Sequence, residues 1–153
     1  MKSSFKYFFS LFLIQIFINP LYLLANQEIK GFDTEQNKKS KVVALTSLSA
    51  DLVGNLSISS LVGIPGSSLF KNEKEFQNIP IVSRGRMQPD IEKIISLKPD
   101  YVIGAKGFHD KTLRKLEDLG ISTISTNIKS FKDLESFESQ LQNILGTQKK
   151  GNL

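Results

Sequence analysis

Along this chain the spacing of apolar positions switches repeatedly between strand-like runs and helical periods, and each switch marks an expected element. Lys41–Leu45 (KVVAL) is a short β-branched run suited to a buried strand. Leu52, Val53 and Leu56 follow at helical spacing, with Ser49 placed to cap them. Leu61–Ile64 is a second buried run, and Gly63, Pro65 and Gly66 predict a turn there. Lys71–Asn78 is charged and ambiguous. Ile79–Val82 predicts a third strand, with Pro80 near its start or on a sheet edge. Asp90 caps a helix whose apolar face is Ile91, Ile94, Ile95 and Leu97; Pro99 ends it by moving Lys98 out of the α region. Tyr101–Ile103 predicts a buried strand. Asp110 caps a helix with Leu113, Leu116 and Leu119 inward, and Gly120 supplies a left-handed exit. Ile121–Ser125 alternates as a weaker strand. Ser130 and Asp133 form a capping box, opening a helix that turns Leu134, Phe137, Leu141, Ile144 and Leu145 inward and stops at Gly146.

Strands alternating with helices across short loops predict an α/β fold: a parallel, Rossmann-like sheet flanked by helices. Ligands of such sheets sit beyond the carboxyl ends of the strands. That rule selects the loops Thr46–Ser49, Pro65–Leu69, Ser83–Pro89 and Ala105–Asp110. The stretch Pro80–Gly104 runs strand, polar loop, capped helix, hard stop and strand, an arrangement suited to the wall of a ligand cleft.

Residues 1–25 are of another kind. Lys2 and Lys6 precede an apolar run from Tyr7 to Leu24, and Ala25 stands where a signal peptidase needs a small residue. The expectation is an export signal; the rival is a retained membrane anchor, since about 20 apolar residues can span a bilayer. Residues 26–40 form a polar leader, residues 41–146 the folded domain and residues 147–153 a tail. The chain's 20 basic and 15 acidic side chains fall to a net +3 when Lys2 and Lys6 are removed with the signal. The basic residues are dispersed and no aromatic side chains alternate with them, which speaks against nucleic-acid binding. The absence of cysteine excludes disulfides, thiolate metal sites and lipid attachment through an N-terminal Cys.

Candidate chemistry is sparse. Arg84 and Arg86 lie between a strand end and a helix start, where guanidinium forks suit carboxylates, phosphates or catecholate oxygens; the bland alternative is two solvated loop arginines. Lys106, Phe108 and His109 share the loop after the Tyr101 strand and can touch a ligand there, although His109 beside Asp110 also suits an ordinary helix start. His109 is the only histidine, so a transition-metal site lacks nitrogen and sulfur ligands and no metal or cofactor is expected. Ser47 and Ser49 have no G-x-S-x-G elbow around them, and no catalytic residue is assigned. Gly63-Ile-Pro-Gly66 lacks the lysine and spacing of a phosphate loop. The sequon Asn55-Leu56-Ser57 falls on a predicted helix end.

The order KVVALTSLSADLV, LVGI, IPIVSRGRMQPDIEKIISLKPDYVIG, HDKTLRKLEDLGIS and SFKDLESFESQLQNILG resembles the N-terminal lobe of class III periplasmic substrate-binding proteins, which serve ABC importers for ferric siderophores, vitamin B12 and haem. The resemblance covers Lys41 to Gly146. It implies a non-enzymatic, periplasmic binding lobe for an iron chelate, most simply an anionic ferric siderophore, with cobalamin or haem as lesser options. It implies that Ser47 faces the cleft and that Glu92 docks onto a permease in the inner membrane; an acid in a first helical turn is also favoured by the helix dipole alone. Haem-binding relatives are expected to offer a Tyr in the Arg84 loop and cobalamin-binding relatives a Trp around the cleft, and this chain has neither. Family members have two lobes joined by a long helix, and Leu153 stands about where that helix should be under way. The expectation is therefore a truncated or split product, or a separately encoded second lobe. The alternatives are an interaction domain or non-functional fragment, and a nucleotide-dependent enzyme on a similar sheet.

Overall fold

The computed structural model describes residues 39–84 and 87–147. The signal segment, most of the polar leader, Arg86 and residues 148–153 lie outside these. Lys39 and Ser40, the end of the leader, are tied to the domain: Lys39 Nζ donates to Ser59 Oγ at 2.9 Å and Ser40 Oγ to the Ile144 carbonyl at 2.6 Å.

Five parallel strands form one sheet: β1 Val42–Ala44, β2 Leu61–Gly66, β3 Ile81–Arg84, β4 Tyr101–Ala105 and β5 Ser122–Thr126. Their order is β3-β2-β1-β4-β5. Three helices lie between strands, α1 Ser47–Ser57, α2 Ile91–Ser96 and α3 Asp110–Asp118, and a fourth, α4 Phe131–Leu145, follows β5. The α/β, Rossmann-like expectation therefore holds. β1 is central and its three side chains are fully buried. Val42 and Ala44 join Ile103 beneath α1 and α4, while Val43 joins Val102 beneath α2 and α3. A parallel sheet covered on both faces needs apolar residues at consecutive positions, which is what KVVAL supplies. Each such side chain contributes about 1.5–3 kcal/mol on burial.

Several boundaries differ from the sequence reading, each for a local reason. Thr46, not Ser49, caps α1: its Oγ1 accepts from the Ser49 N–H at 3.1 Å and bonds the Ser49 hydroxyl at 2.7 Å. Gly63, Pro65 and Gly66 do not turn the chain, because β2 runs through them. Val62 is an extra residue against β1, which re-aims Gly63 at the second core. A Cβ on Gly63 would meet Leu97, Val43 and Val82 side chains, each at 3.0 Å. Ile64 donates toward β3, so Pro65 would have donated toward β1, whose pairing stops at Gly63; the missing N–H is harmless there.

The third strand begins at Ile81, two residues later than its apolar run, and lies on the sheet edge, where Pro80 is tolerated. The charged stretch 71–78 holds a 3-10 turn at Lys74–Phe76, which follows another at Ser68–Phe70. Phe70 and Phe76 are buried and stack at 4.5 Å. Ile95 and Leu119, assigned to helix inner faces, are exposed. Asp90 caps α2 as expected, and Ser130 with Asp133 forms the capping box of α4. The Lys129 and Ser130 N–H groups hold the Asp133 carboxyl below its ordinary range.

At α3 the capping residue is His109, not Asp110. The Asp110 carboxylate instead accepts from the Gly107 N–H at 2.9 Å. His109 is buried under Gly104, where an added Cβ would meet the His109 Cβ at 2.8 Å. Its Nδ1 accepts from the Ala105 N–H at 2.9 Å, so the ring keeps a lone pair there. Burial lowers its pKa from the ordinary 6.5, against an opposing pull from Asp110.

Two predictions follow from these local constraints. Lys98 sits at φ 50°, in the left-handed region, just past α2. Lys98→Gly should therefore raise stability by about 0.5–1 kcal/mol in urea unfolding, relief of backbone strain exceeding the added unfolded-state entropy. For His109 the unfolded state binds the proton more readily than the folded one, so stability is full above pH 6.5 and declines as pH falls below it. His109→Asn, which keeps an acceptor for Ala105, should flatten that decline between about pH 7 and pH 5. An unaltered urea-midpoint profile would show that another group is responsible.

Candidate ligand-binding site

Parallel strands bring all their carboxyl ends to one edge, and the connection after each strand starts there. After β1, Thr46 fixes the first turn of α1, leaving Ser47 half-buried and Leu48 exposed. After β2, the Ser67 hydroxyl accepts from the Leu69 N–H at 3.3 Å and Leu69 projects outward. β3 ends on exposed Arg84, and the Met87 N–H donates to the Arg84 carbonyl at 3.0 Å. After β4, Lys106 N–H donates to the Thr126 carbonyl at 2.8 Å while its side chain is exposed. Phe108 stands edge-on to the His109 ring at 4.7 Å. After β5, capping of α4 by Ser130 sets Phe131 on the surface.

Every one of the five connections thus carries an exposed large apolar side chain at the carboxyl edge. Leu48, Leu69, Met87, Phe108 and Phe131 are 45%, 70%, 69%, 59% and 73% exposed. Single exposed apolar residues are ordinary. One on each converging loop is a distribution that surface chance does not explain, because only Ile81, Ile95 and Leu119 are comparably exposed elsewhere among the described residues.

Ser47, Arg84, Lys106 and Phe108 all belong to this edge. Ser47 and Leu48 line a cavity of ≈ 640 Å³ together with Leu69, joining the first two loops. Arg84 on β3 stands three strands from Lys106, which follows β4, on the order of 15 Å at ordinary strand spacing. The strand order reverses between β1 and β4, whose connections leave for opposite faces, so Ser47 and Lys106 flank the switch point. His109 is at the same edge but buried, with Nδ1 spent on Ala105. Glu92 is exposed in the first turn of α2. Arg86 falls outside the described residues.

Sequence reasoning overlooked Leu48, Leu69, Met87, Phe131 and the whole fifth loop. The available signal was an isolated apolar residue just after each strand.

The Thr46 and Ser49 hydroxyls bond each other, and the imidazole accepts from backbone. Among the described residues no three acidic or imidazole side chains gather closely enough to hold a metal ion. What faces outward is apolar surface, the cations Arg84, Lys106 and Lys129, the first turn of α1, and beside it the carboxylates Asp51, Glu73 and Glu75 of the ≈ 640 Å³ cavity.

Comparison with known proteins fits this edge into a wider pattern. The iron-uptake system-binding protein of Bacillus subtilis (strain 168) is 42% identical over 48 residues, spanning 29% of this chain and 15% of that protein. An ABC transporter substrate-binding protein from Listeria monocytogenes EGD-e matches 71% of this chain and 41% of its own, with 27% identity and a TM-score of 0.62. A periplasmic haem-binding protein from Pseudomonas aeruginosa matches 71% of this chain and 39% of its own, at 26% identity and a TM-score of 0.59. The chain therefore spans less than half the length of these solved relatives. The sequence model of the periplasmic binding proteins matches residues 42–150, nearly the whole described domain, and the chain belongs to that family.

Proposed function

We propose that this chain is a substrate-binding lobe of an ABC importer, holding an iron chelate against the carboxyl edge of its sheet. The observation that carries the reading is the exposed apolar side chain on each of the five edge loops, set beside the cations Arg84 and Lys106. Apolar contacts supply affinity and a few placed polar groups supply orientation in small-molecule sites. The B. subtilis relative, named for iron uptake, and the P. aeruginosa haem-binding protein support an iron-containing solute.

Within that class an anionic ferric siderophore fits best. Guanidinium and ammonium groups complement hydroxycarboxylate or catecholate oxygens, and Arg86 is assigned to the same loop as Arg84. Haem or cobalamin is served less well. The chain contains no Trp, and Tyr101 begins β4 at the amino end of the sheet, opposite the edge loops. In this reading Glu92 docks on basic residues of a permease, the N-terminal segment directs export to the periplasm, and a second lobe supplies the facing wall. The domain performs no chemistry of its own.

Ferric hydroxamate and catecholate siderophores, haem and cobalamin titrated into the full chain, alone and with a candidate second lobe, should yield saturable binding of a siderophore. Phe108→Ala and Arg84→Ala should each weaken it about tenfold, as expected for an aromatic anchor and a charge-assisted bond. Lack of binding by any of the four solutes under both conditions would sink the transport reading. Unchanged affinity in both variants would move the site off this edge.

A further inference from the structure

Behind the connection between β2 and β3 lies a cavity of ≈ 490 Å³, set against the outer strand pair of the sheet. Ile64 of β2 and Ile81 of β3 contribute its apolar base, and the stacked pair Phe70 and Phe76 stands over it. The rings are 4.5 Å apart and 19° from parallel, and both are buried, so the wall is fixed rather than adjustable. Among the described residues, the charged members of the lining are Lys71 and Arg84, with no carboxylate. The same two phenylalanines also line the ≈ 640 Å³ cavity beside α1, whose charged members among the described residues are Asp51, Glu73 and Glu75. The phenylalanine pair is therefore shared by an apolar space with positive charge and one with negative charge.

We propose that the cationic cavity, which shares Arg84 with the carboxyl edge, is a binding site for a small aromatic carboxylate, its ring on the Phe70–Phe76 wall and its carboxylate on Arg84 and Lys71. The size lies within the usual small-ligand range of roughly 300–1,000 Å³. A guanidinium takes a carboxylate through two parallel bonds, and a second cation favours the ionised form. An aromatic ring gains offset or edge-on contact with a fixed phenylalanine pair, which an aliphatic chain does not. The neighbouring acidic cavity repels the same ligand, so charge alone decides which of the two cavities it takes. This site stands whether or not the edge loops hold an iron chelate.

The test is titration of the ¹⁵N-labelled full chain with benzoate, benzamide and acetate, read by amide chemical shifts. Benzoate should give saturable shifts at Ile64, Ser68, Gln77 and Ile81. Benzamide, which has the ring without the charge, should bind at least about tenfold more weakly, and acetate, without the ring, weaker still. Arg84→Gln and Lys71→Gln should each cost benzoate roughly tenfold. Ile81→Trp, a substitution at an exposed edge position, should plug the cavity and abolish binding with the rest of the spectrum retained. Phe108→Ala, which the chelate reading requires to matter, should leave benzoate unaffected. Shifts centred on the Phe108 and Phe131 loops, equal binding of benzamide, or persistence of binding in Ile81→Trp would each overturn the assignment.

Discussion

β1 contributes three residues, yet both halves of the sheet are built on it. Its start is clamped to the start of β4. The Lys41 N–H donates to the Asp100 carboxylate at 2.7 Å, and the Lys41 carbonyl accepts from the Asp100 and Tyr101 N–H groups at 2.8 and 3.1 Å. That clamp sets the pairing Val42 to Tyr101, Val43 to Val102 and Ala44 to Ile103. A slip of one residue would exchange the two faces, carrying Val43 toward α1 and α4 and Val42 toward α2 and α3. Both cores are closely filled at these positions, so the register is held from both sides. With the register fixed, β1 ends at Ala44 beside Ile103 while β4 runs on to Ala105, and their outgoing chains part to opposite faces. The gap at the switch point follows from that parting.

Much of this was legible in the sequence because the signals were local. Asp90, the Ser130–Asp133 box, Gly120 and Gly146 each act on the chain within a few residues, and all behave as their chemistry dictates. The failures arose where a neighbour decided. Thr46 and Ser49 are both competent caps, and only the exit angle of β1 selects Thr46. Pro65 and Gly66 resemble a turn until the extra residue at Val62 and the short reach of β1 are known. Phe70 and Phe76 sit in a stretch whose lysines and glutamates hide any period, and they become core by stacking on each other and packing into the cluster beneath α1.

The candidate site was less legible than the fold. Charged loop residues announce themselves, so Arg84 and Lys106 were found. An apolar residue near a strand end is indistinguishable, in sequence, from one that turns inward; Leu48 and Phe131 separate from Val53 and Phe137 only by helix phase set at the cap. His109 shows the opposite error. A lone histidine beside a helix start invites a contact role, whereas the close approach of Gly104 leaves room to bury the ring and use it as a backbone acceptor.

The satisfaction of those polar groups bears on the kind of function the edge can serve. Buried donors and acceptors at the switch point are paired within the domain, and the surface left to a solute is apolar, with cations at its margin and carboxylates beside α1. An open edge of this form can cover one side of a solute, whereas small-molecule sites bury most of the ligand's surface. Under the importer reading, a facing wall must therefore supply much of the desolvation, and this edge supplies selectivity by charge and shape.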